Sequence, residues 1–377
     1  MGNLKVLCDA VPFCFGPVSK IVSVSDHLHA LGADMDLLAF GTSKELGEKA
    51  GIFNVVDCNS EDAYDLEKYK CLFEGADVFV TVMNPIAAKF ALEAKVPVVY
   101  IDSLFWMWDS VPKEFSGIDK YFVQNFFNSK EALANYPFLK NVEFVGPIID
   151  DSLKIQEKKE DFVLVNFGGM ESALIQVGIN SNYPFVVGGL IIEELEKSGQ
   201  KAFICGNDKV LKKLMKGRKL KNIIVGGRSH KEFLELLRRT KLLITTPGLT
   251  TTFEAFHYNA PVVFLPPENY SQFLNLKIFR QNDVANDSFH WMDLYKGLDI
   301  VPGEDEKGGV DKVLSCIKRF ESSKEDKAKF SKFISTVLSK KKSSLAKQKK
   351  YYNSLGASSS KKIANYIYKK FSRGDRK

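Results

Sequence analysis

Residues 241–275 read KLLITTPGLTTTFEAFHYNAPVVFLPPENYSQFLN. Apolar runs alternate in this stretch with helix-like segments and with turn residues. The pattern predicts, in order, a buried strand, a turn, the first part of a helix, a second strand and a loop that enters another helix, at 242–246, 247–248, 250–257, 260–265 and 266–275. Short apolar strands separated by amphipathic helices are typical of a parallel sheet that is covered on both faces.

The turn in this stretch brings a glycine and three hydroxyl side chains to the start of a helix, namely Gly248, Thr250, Thr251 and Thr252. A helix N-terminus offers unpaired N–H groups and a positive dipole, and it therefore suits a phosphate. Glu254 follows Gly248 by six residues, and there its carboxylate can accept hydrogen bonds from two ribose hydroxyls. The segment predicts a nucleotide-sugar site. The alternative is an ordinary strand-turn-helix unit with threonine caps.

The same alternation occupies the first 150 residues. Strands are predicted at 5–10, 36–40, 54–56, 78–82, 98–101, 120–123 and 142–145. Helices are predicted between them at 18–31, 43–50 and 87–94. The Gly146-Pro147 pair ends the last strand, and the charged stretch 156–161 is interpreted as a linker.

The alternation then begins again, with further strands predicted at 162–166, 201–205, 222–225 and 298–301. Helices are predicted at 183–198, 209–215, 231–239, 273–281 and 309–322. The chain is therefore predicted to be α/β, with two Rossmann-like, doubly wound domains at 1–150 and 161–322. A basic helical tail, 323–377, follows. Its last helix carries one apolar stripe and is expected to dock back on a domain through Ile363, Ile367 and Phe371.

The composition is that of a globular protein. Of its 377 residues 45% are hydrophobic and 26% are charged, and no apolar run reaches the roughly 20 residues of a membrane-spanning helix. The N-terminus has no signal-peptide pattern. Six cysteines without C-x-x-C spacing argue against a zinc site or a disulfide framework. We expect a cytoplasmic protein with no transmembrane segment.

The net charge of +7 is unevenly distributed. Residues 321–377 hold 17 Lys/Arg against 4 Asp/Glu, a net charge of +13, whereas the preceding residues carry −6. A basic tail on an acidic body can bind nucleic acid or anionic lipid. The alternative, which we favour, is a pair of solvated helices with lysine-rich outer faces.

Two Rossmann-like halves, a Gly-Pro hinge and the 248–275 segment resemble the GT-B glycosyltransferases. The resemblance is strongest to the group that adds N-acetylglucosamine to lipid-linked peptidoglycan precursor. It covers most of 4–320 as architecture and two or three segments closely. It implies a UDP-sugar donor held by the second domain. The residues that it implies are Gly168 and Gly169 in a turn facing the phosphates, His230 near the base, Gly248, Thr250, Thr251 and Thr252 at the phosphates, Glu254 at the ribose, and Gln272 and Asn275 at the sugar.

For His230, a place in the first helical turn after an N-cap Ser229 is the alternative. The first domain departs from the family pattern, which has a glycine-rich loop and often a histidine after its first strand. Here residues 9–20 read DAVPFCFGPVSK, with proline near the histidine position. Gly16 and Ser19 at a helix entry suit contact with phosphate or acceptor. Lys20 can offset a charge, or it can be an ordinary solvated lysine.

Two aspartates, Asp9 and Asp102, are candidates for the catalytic base because each lies at the predicted carboxyl end of a strand. A cap or turn role is the alternative for either. Trp106 and Trp108 are candidates for stacking on a planar or sugar acceptor, with core packing equally open. No Asp-x-Asp pair lies near the site. We therefore expect metal-independent transfer, with no cofactor beyond the UDP-sugar co-substrate.

The run from Cys8 to Lys20 is also similar to the cytosylglucuronate synthases of nucleoside-antibiotic pathways, which join glucuronate from its UDP-sugar to cytosine. The sequence thus predicts a glycosyltransferase that moves a sugar from a UDP-sugar to a small-molecule acceptor. Glucuronate and a pyrimidine, cytosine, are the pair that this similarity implies. The alternatives are a nucleotide-sugar epimerase or hydrolase on the same fold, and a polyanion-binding protein that acts through the basic tail.

Overall fold

The computed structural model describes residues 3–168, 181–303, 305–340 and 345–372. The chain divides into two compact units. The first comprises Met1–Asp151 together with Leu355–Lys377, and the second is Ser152–Ser354. Each unit contains one parallel sheet with helices packed against it. The chain therefore has the α/β, doubly wound architecture that the sequence predicts.

The sheet of the first unit is built from seven strands. They are β1 (Lys5–Ala10), β2 (Asp34–Ala39), β3 (Asn54–Asp57), β4 (Val78–Val82), β5 (Val98–Asp102), β6 (Lys120–Gln124) and β7 (Val142–Val145). All pair in parallel, in the order β3-β2-β1-β4-β5-β6-β7. The predicted strands of this half are confirmed. Because the order changes direction between β1 and β4, loops from these two strands diverge at the carboxyl edge and leave room for a ligand.

The helices of the first half are α1 (Gly16–Ala30), α2 (Gly41–Ala50), α3 (Ala63–Glu67), α4 (Lys70–Gly75), α5 (Pro85–Glu93) and α6 (Ser129–Ala132). Two of them begin with a proline inside the first turn, where its missing N–H costs nothing. The start of α5 is fixed by Asn84, whose side-chain oxygen accepts hydrogen bonds from the N–H groups of Ile86 and Ala87, each at 3.1 Å. This cap also fixes the end of the β4 loop.

The sheet of the second unit has five strands in the described residues. They are β8 (Glu160–Asn166), β9 (Ala202–Cys205), β10 (Ile223–Val225), β11 (Thr240–Thr245) and β12 (Val262–Phe264). They pair in parallel in the order β10-β9-β8-β11-β12. The order changes direction between β8 and β11, so the turns after these two strands open the carboxyl edge of this sheet.

The predicted strand at 298–301 is wrong. Ile300 is fully buried, but its N–H donates to the side chain of Asp299 rather than to a neighbouring strand. The free edge of β12 is bonded by 287–289 instead, since the N–H and carbonyl of Phe264 pair with this segment. The apolar pattern at 298–301 therefore reflects the burial of side chains and not the pairing of a strand.

The helices of the second unit are α7 (Tyr183–Ser198), α8 (Asp208–Met215), α9 (His230–Leu237), α10 (Leu249–His257), α11 (Tyr270–Gln281), α12 (Glu306–Ser322), α13 (Lys324–Ser339) and α14 (Leu345–Ser354). Within α14, Gln348 is fully buried. Its side-chain amide accepts from the N–H of Val262 at 3.1 Å and donates to the carbonyl of the same residue at 3.0 Å. A side chain thus takes the hydrogen bonds that another strand would make at β12.

The last helix, α15 (Ser360–Phe371), packs against α1 of the first unit. Its apolar stripe of Ile363, Ile367 and Phe371 is buried. The segment that leads into α15 lies against the backbone of Gly146, where an added Cβ would clash with the carbonyl oxygen of Ala357. Only glycine fits this close approach of two backbones.

The charged side chains of the C-terminal helices are partly engaged with the acidic surface. Lysines 340, 347 and 362 make ion pairs with Asp287, Asp283 and Glu143 at 2.5, 3.3 and 2.7 Å. The lysine of each pair is exposed, so each pair contributes little to stability. They do lower the positive charge that the tail presents to a polyanion. No helix in the described part of the chain is both long and apolar enough to cross a membrane.

Candidate functional site

The turn between β11 and α10 has the geometry of an anion-binding helix start. Gly248 is the extended residue that precedes α10, and no atom lies within 4 Å of the position where its Cβ would be. The first N–H groups of a helix have no acceptor within the helix itself, so they can bind a ligand approaching over this glycine. The sequence prediction of a turn and a helix start is confirmed here.

The three threonines of this turn have different environments. Thr252 is fully buried and its hydroxyl donates to the carbonyl of Gly248 at 2.6 Å, so this hydroxyl is engaged within the helix. Thr251 is half-buried, and its hydroxyl accepts from the side chain of Asn166 at 3.3 Å. Thr250 is buried at the first turn. Of the three, Thr252 has its hydroxyl committed to closing the first turn.

Glu254 lies one turn further along α10 and pairs with His230. The distance between His230 Nε2 and Glu254 Oε1 is 2.7 Å, and the side chains are 9% and 2% exposed. His230 is the first residue of α9, after Ser229, which caps this helix together with Glu232. His230 therefore has the position in the first turn of α9 that the N-cap interpretation predicts, and its ring contacts Glu254. Its contact with a nucleobase stays a prediction.

The other oxygen of Glu254, Oε2, accepts no hydrogen bond from the described residues. A carboxylate accepts about four hydrogen bonds. The pairing with His230 thus fixes the rotamer of Glu254 and leaves acceptor capacity for a ligand hydroxyl.

The turn after β8 is described as far as Gly168. This glycine has φ +64°, no atom lies within 4 Å of its would-be Cβ, and its N–H donates to the Asn166 side chain at 3.1 Å. The positive φ explains why a glycine is needed. Gly169, also predicted to contact phosphate, lies outside the described residues.

Helix α11, which follows the loop after β12, carries the two residues predicted to contact the sugar. Gln272 is buried, and its side-chain oxygen accepts from the N–H of Glu268 at 3.0 Å. Asn275 is buried too, and its side-chain amide donates to the carbonyl of Pro247 at 3.0 Å. Asn275 therefore ties α11 to the turn before Gly248, which brings the predicted phosphate and sugar elements of this unit together.

In the first unit, Asp9 at the end of β1 is fully buried and accepts hydrogen bonds from two hydroxyls. Ser60 donates to Oδ1 at 2.5 Å and Thr81 donates to Oδ2 at 2.8 Å. Burial raises the pKa of Asp9 to about 6, and the bonds from Ser60, Thr81 and Asn84 oppose that rise. The hydroxyls come from separate loops and strands, so this cluster could not be recognised from local sequence.

Asp102 at the end of β5 is also buried, with both oxygens engaged. Its Oδ1 accepts from the N–H of Leu104 at 2.7 Å, and its Oδ2 accepts from the Trp108 indole and the Tyr121 hydroxyl, each at 2.8 Å. Burial raises the pKa of Asp102, and these bonds oppose the rise. The carboxylate therefore holds the loop after β5 in place, as the turn interpretation predicts.

The two tryptophans that follow differ in exposure. Trp106 is buried and packs on Phe126 with ring centroids 5.1 Å apart. Trp108 is half-buried, with its indole N–H committed to Asp102. Of the two, Trp108 has the larger exposed surface for an acceptor.

The entry to α1 contains the other predicted acceptor residues. Gly16 is the first residue of this helix and is half-buried, and Ser19 is buried. Lys20 is 1% exposed, so the interpretation as a solvated lysine is wrong. A buried ammonium group needs compensating partners.

In the parts of the chain that the structure describes, no group of three or more His, Cys, Asp or Glu side chains is arranged to hold a metal ion.

No family model matches this chain, and no curated protein matches it. Solved structures do match over nearly its whole length. Arabidopsis thaliana UGT89C1, complexed with UDP, has 12% identity and a TM-score of 0.57, with 98% of this chain and 100% of that chain covered. Phytolacca americana UGT2, complexed with UDP-2-fluoro-glucose and pterostilbene, has 12% identity and a TM-score of 0.55, with the same coverage.

Spinosyn rhamnosyltransferase SpnG, complexed with thymidine diphosphate, has 13% identity and a TM-score of 0.50, with 88% of this chain and 96% of that chain covered. At such identities the likeness is one of fold. The two parallel sheets with flanking helices and a helical C-terminal region form the GT-B fold of these glycosyltransferases.

Proposed function

We propose that the protein is a glycosyltransferase that transfers a sugar from a UDP-sugar to a small-molecule acceptor. The observation that carries the proposal is the buried pair of Glu254 and His230, one helical turn from the open glycine at the start of α10. A helix start binds an anion and a carboxylate one turn away binds a diol. A nucleoside diphosphate carries both groups at this spacing.

In this proposal the second unit holds the donor. The N–H groups at the start of α10 donate hydrogen bonds to the diphosphate, which the Gly168 turn also faces. Glu254 accepts hydrogen bonds from the ribose hydroxyls through the oxygen that His230 leaves available. His230 also lies beside the nucleobase. Gln272 and Asn275 hold the sugar. Gly169, Thr250 and Thr251 add further donors to the phosphates.

The chemical step breaks the bond between the anomeric carbon and the diphosphate oxygen. The electron pair moves to that oxygen, where charge grows in the transition state, and the helix N-terminus stabilises it. An acceptor oxygen or nitrogen forms the new bond to the anomeric carbon and loses its proton. We propose that the leaving group is stabilised in this way without a metal.

The first unit binds the acceptor in this proposal. Trp108 and Trp106 contact a planar or sugar ring, and Gly16, Ser19 and Lys20 line the entry to α1. Asp9 and Asp102 are both kept as candidates for the base. For Asp9, a pKa of about 6 suits proton transfer near neutral pH. Each must first give up a hydrogen bond, and a positioning role for either is the competing assignment.

The finer proposal is transfer of glucuronate to cytosine, in the cytoplasm. It rests on the similarity of the Cys8 to Lys20 run to cytosylglucuronate synthases and on the tryptophans near Asp102. An indole face suits a pyrimidine ring. The proposal of a small planar acceptor stands apart from that of the donor, and each has its own test.

Thermal unfolding of the purified protein with a panel of nucleotides tests the donor assignment. The panel contains UDP, TDP, GDP, ADP, UDP-glucose, UDP-N-acetylglucosamine and UDP-glucuronate. A ligand at about 100 times its Kd stabilises the native state by about 2.7 kcal/mol, enough to resolve. We expect a shift with UDP and with one UDP-sugar. A shift with another nucleotide alone would move the donor to that base, and no shift at all would contradict the transferase proposal.

A further inference from the structure

Glu268 is a buried carboxyl group that the proposed mechanism does not use. It lies in the loop between β12 and α11 and is 7% exposed. Its Oε2 is buried and has no hydrogen-bond partner in the described residues. Nearly all buried polar atoms in folded proteins are hydrogen-bonded. An unpartnered carboxyl oxygen is therefore a feature that the fold alone does not explain.

The backbone around Glu268 is held rigidly by side chains from three elements. The hydroxyl of Tyr183 donates to the carbonyl of Pro266, and the indole N–H of Trp291 donates to the carbonyl of Pro267 at 2.7 Å. The N–H of Glu268 itself donates to the side chain of Gln272 at 3.0 Å. A loop backbone fixed in this way presents the Glu268 side chain from a fixed Cα position, so less freedom remains to be lost on binding.

The electrostatic environment keeps this carboxyl group uncharged. Burial raises the pKa of Glu268 to about 8, and no cation in the described part of the chain opposes that rise. The titratable side chain that interacts with it is Tyr183 on α7, whose own pKa is raised well above its usual range by burial, so it is neutral. An uncharged carboxyl group has an O–H donor as well as acceptor oxygens.

The place of Glu268 in the fold indicates what it donates to. It follows β12, which pairs in parallel with β11, so its loop and the Gly248 turn lie at the same carboxyl edge of the sheet. Ligands of doubly wound sheets bind at this edge. Gln272, the residue assigned to the sugar, contacts Glu268 directly. The sugar of the donor is the ligand with oxygens at this location.

We propose that Glu268, in its uncharged form, donates a hydrogen bond to an oxygen of the donor sugar and so helps to select that sugar. This inference rests on the proposed function of the second unit. The acceptor oxygen is a hydroxyl in a neutral sugar or a carboxylate in a glucuronate. An ionised Glu268 has no proton to donate, and it also repels a sugar carboxylate.

The test compares the affinities for UDP and for UDP-sugars by calorimetry at about pH 7 and about pH 9. Both values lie above the second pKa of a terminal phosphate, about 6, so the charge of UDP changes little between them. With a pKa of about 8, the protonated fraction falls about tenfold over this range, and the affinity for a UDP-sugar relative to UDP falls by up to the same factor. UDP-glucose and UDP-glucuronate are the two probes. A larger fall for UDP-glucuronate identifies a carboxylate as the partner.

Two variants sharpen the result. Glu268→Gln keeps an uncharged donor of similar shape, so its affinity ratio stays constant with pH and near the wild-type value at neutral pH. Glu268→Leu has no donor, so its ratio is low at both values. Glu194→Gln is the matched control, since Glu194 is a buried glutamate on α7 that pairs with Lys197 at 2.7 Å. This control keeps the wild-type pH dependence.

A wild-type ratio that does not change with pH, while UDP still binds, overturns this inference and leaves the proposed function intact. A Glu268→Gln variant that follows the wild-type pH profile also overturns it. Absence of UDP binding to the wild type at either pH overturns the proposed function and this inference with it. The wild-type profile decides the matter even where a variant does not fold.

Discussion

Removal of the Glu254 carboxylate is expected to weaken UDP binding by about 1–3 kcal/mol, which corresponds to about 5- to 150-fold in Kd. The range follows from the geometry of the pair. Oε1 accepts from His230 at 2.7 Å, so mainly Oε2 is available to the ribose. One or two hydrogen bonds to a charged acceptor are then lost in Glu254→Ala, each worth about 1.5–3 kcal/mol before desolvation is counted.

The same substitution removes the hydrogen bond between Glu254 and a buried ring nitrogen of His230, which costs about 1–3 kcal/mol of folding stability. Glu254→Gln separates the two effects. Its side-chain oxygen still accepts from His230 but carries no charge for the ribose. We expect Glu254→Gln to be closer to wild type in stability than Glu254→Ala and still weaker in UDP binding.

The assay is calorimetric titration of UDP and of 2′-deoxy-UDP into wild type, the two variants and Glu194→Ala. If Glu254 binds the diol, 2′-deoxy-UDP binds to the wild type more weakly than UDP does. The two ligands bind to Glu254→Ala with equal affinity, since the 2′-hydroxyl has no partner left to lose in that variant. Glu194→Ala controls for removing a buried carboxylate elsewhere in the unit. An unchanged UDP affinity in Glu254→Ala, or a deoxy penalty that persists in it, refutes the assignment.

Three further substitutions test the other buried polar groups. Asp102→Asn puts an amide against the Tyr121 hydroxyl and the indole of the β5 loop. We expect a loss of about 1–3 kcal/mol of stability in denaturant titrations. We also expect lower turnover in kinetics, with nearly unchanged UDP affinity. Full turnover in Asp102→Asn would exclude it as the base. Burial lowers the pKa of His290 to about 4, so between about pH 4 and pH 6.5 the native state binds fewer protons than the unfolded state. About 3 kcal/mol of stability is present above this pH range and is lost as the pH falls through it. His290→Gln should lose less stability than wild type between pH 7 and pH 4 in urea titrations, and an equal loss would contradict this origin. Gln348→Leu leaves the β12 edge groups of Val262 unbonded and should cost about 1–3 kcal/mol. Gln156→Leu, at a partly exposed position, is the control and should change the free energy of unfolding less.

The sheets could be predicted from the sequence because a parallel strand covered on both faces leaves a local signature. The run 78–82 is buried along its length and the run 242–246 at every residue but Leu242, so each run indicates its own strand. The signature fails at 298–301, because burial of Ile300 gives the same apolar pattern without strand pairing. Burial can be inferred from a pattern, but a pairing partner cannot.

The candidate site could be predicted only where it is local. Gly248 and Glu254 belong to one turn and one helix, so their spacing indicates the site. The pairing of Glu254 with His230 joins residues 24 apart, and the hydroxyls around Asp9 come from 51 and 72 residues away. The raised pKa of Glu268 results from its burial, and no spacing of residues encodes it.

Direct analysis of the reaction products tests the central claim. The protein is incubated with the UDP-sugar that stabilises it most and with an acceptor set that includes cytosine, and all products are separated and weighed by mass spectrometry. The account predicts UDP and a glycosylated acceptor in equal amounts, and about 5- to 150-fold slower formation of both with Glu254→Ala at limiting donor. Free sugar released at the same rate without acceptor would indicate a hydrolase, and an isomerised UDP-sugar without UDP release would indicate an epimerase; either would contradict the account.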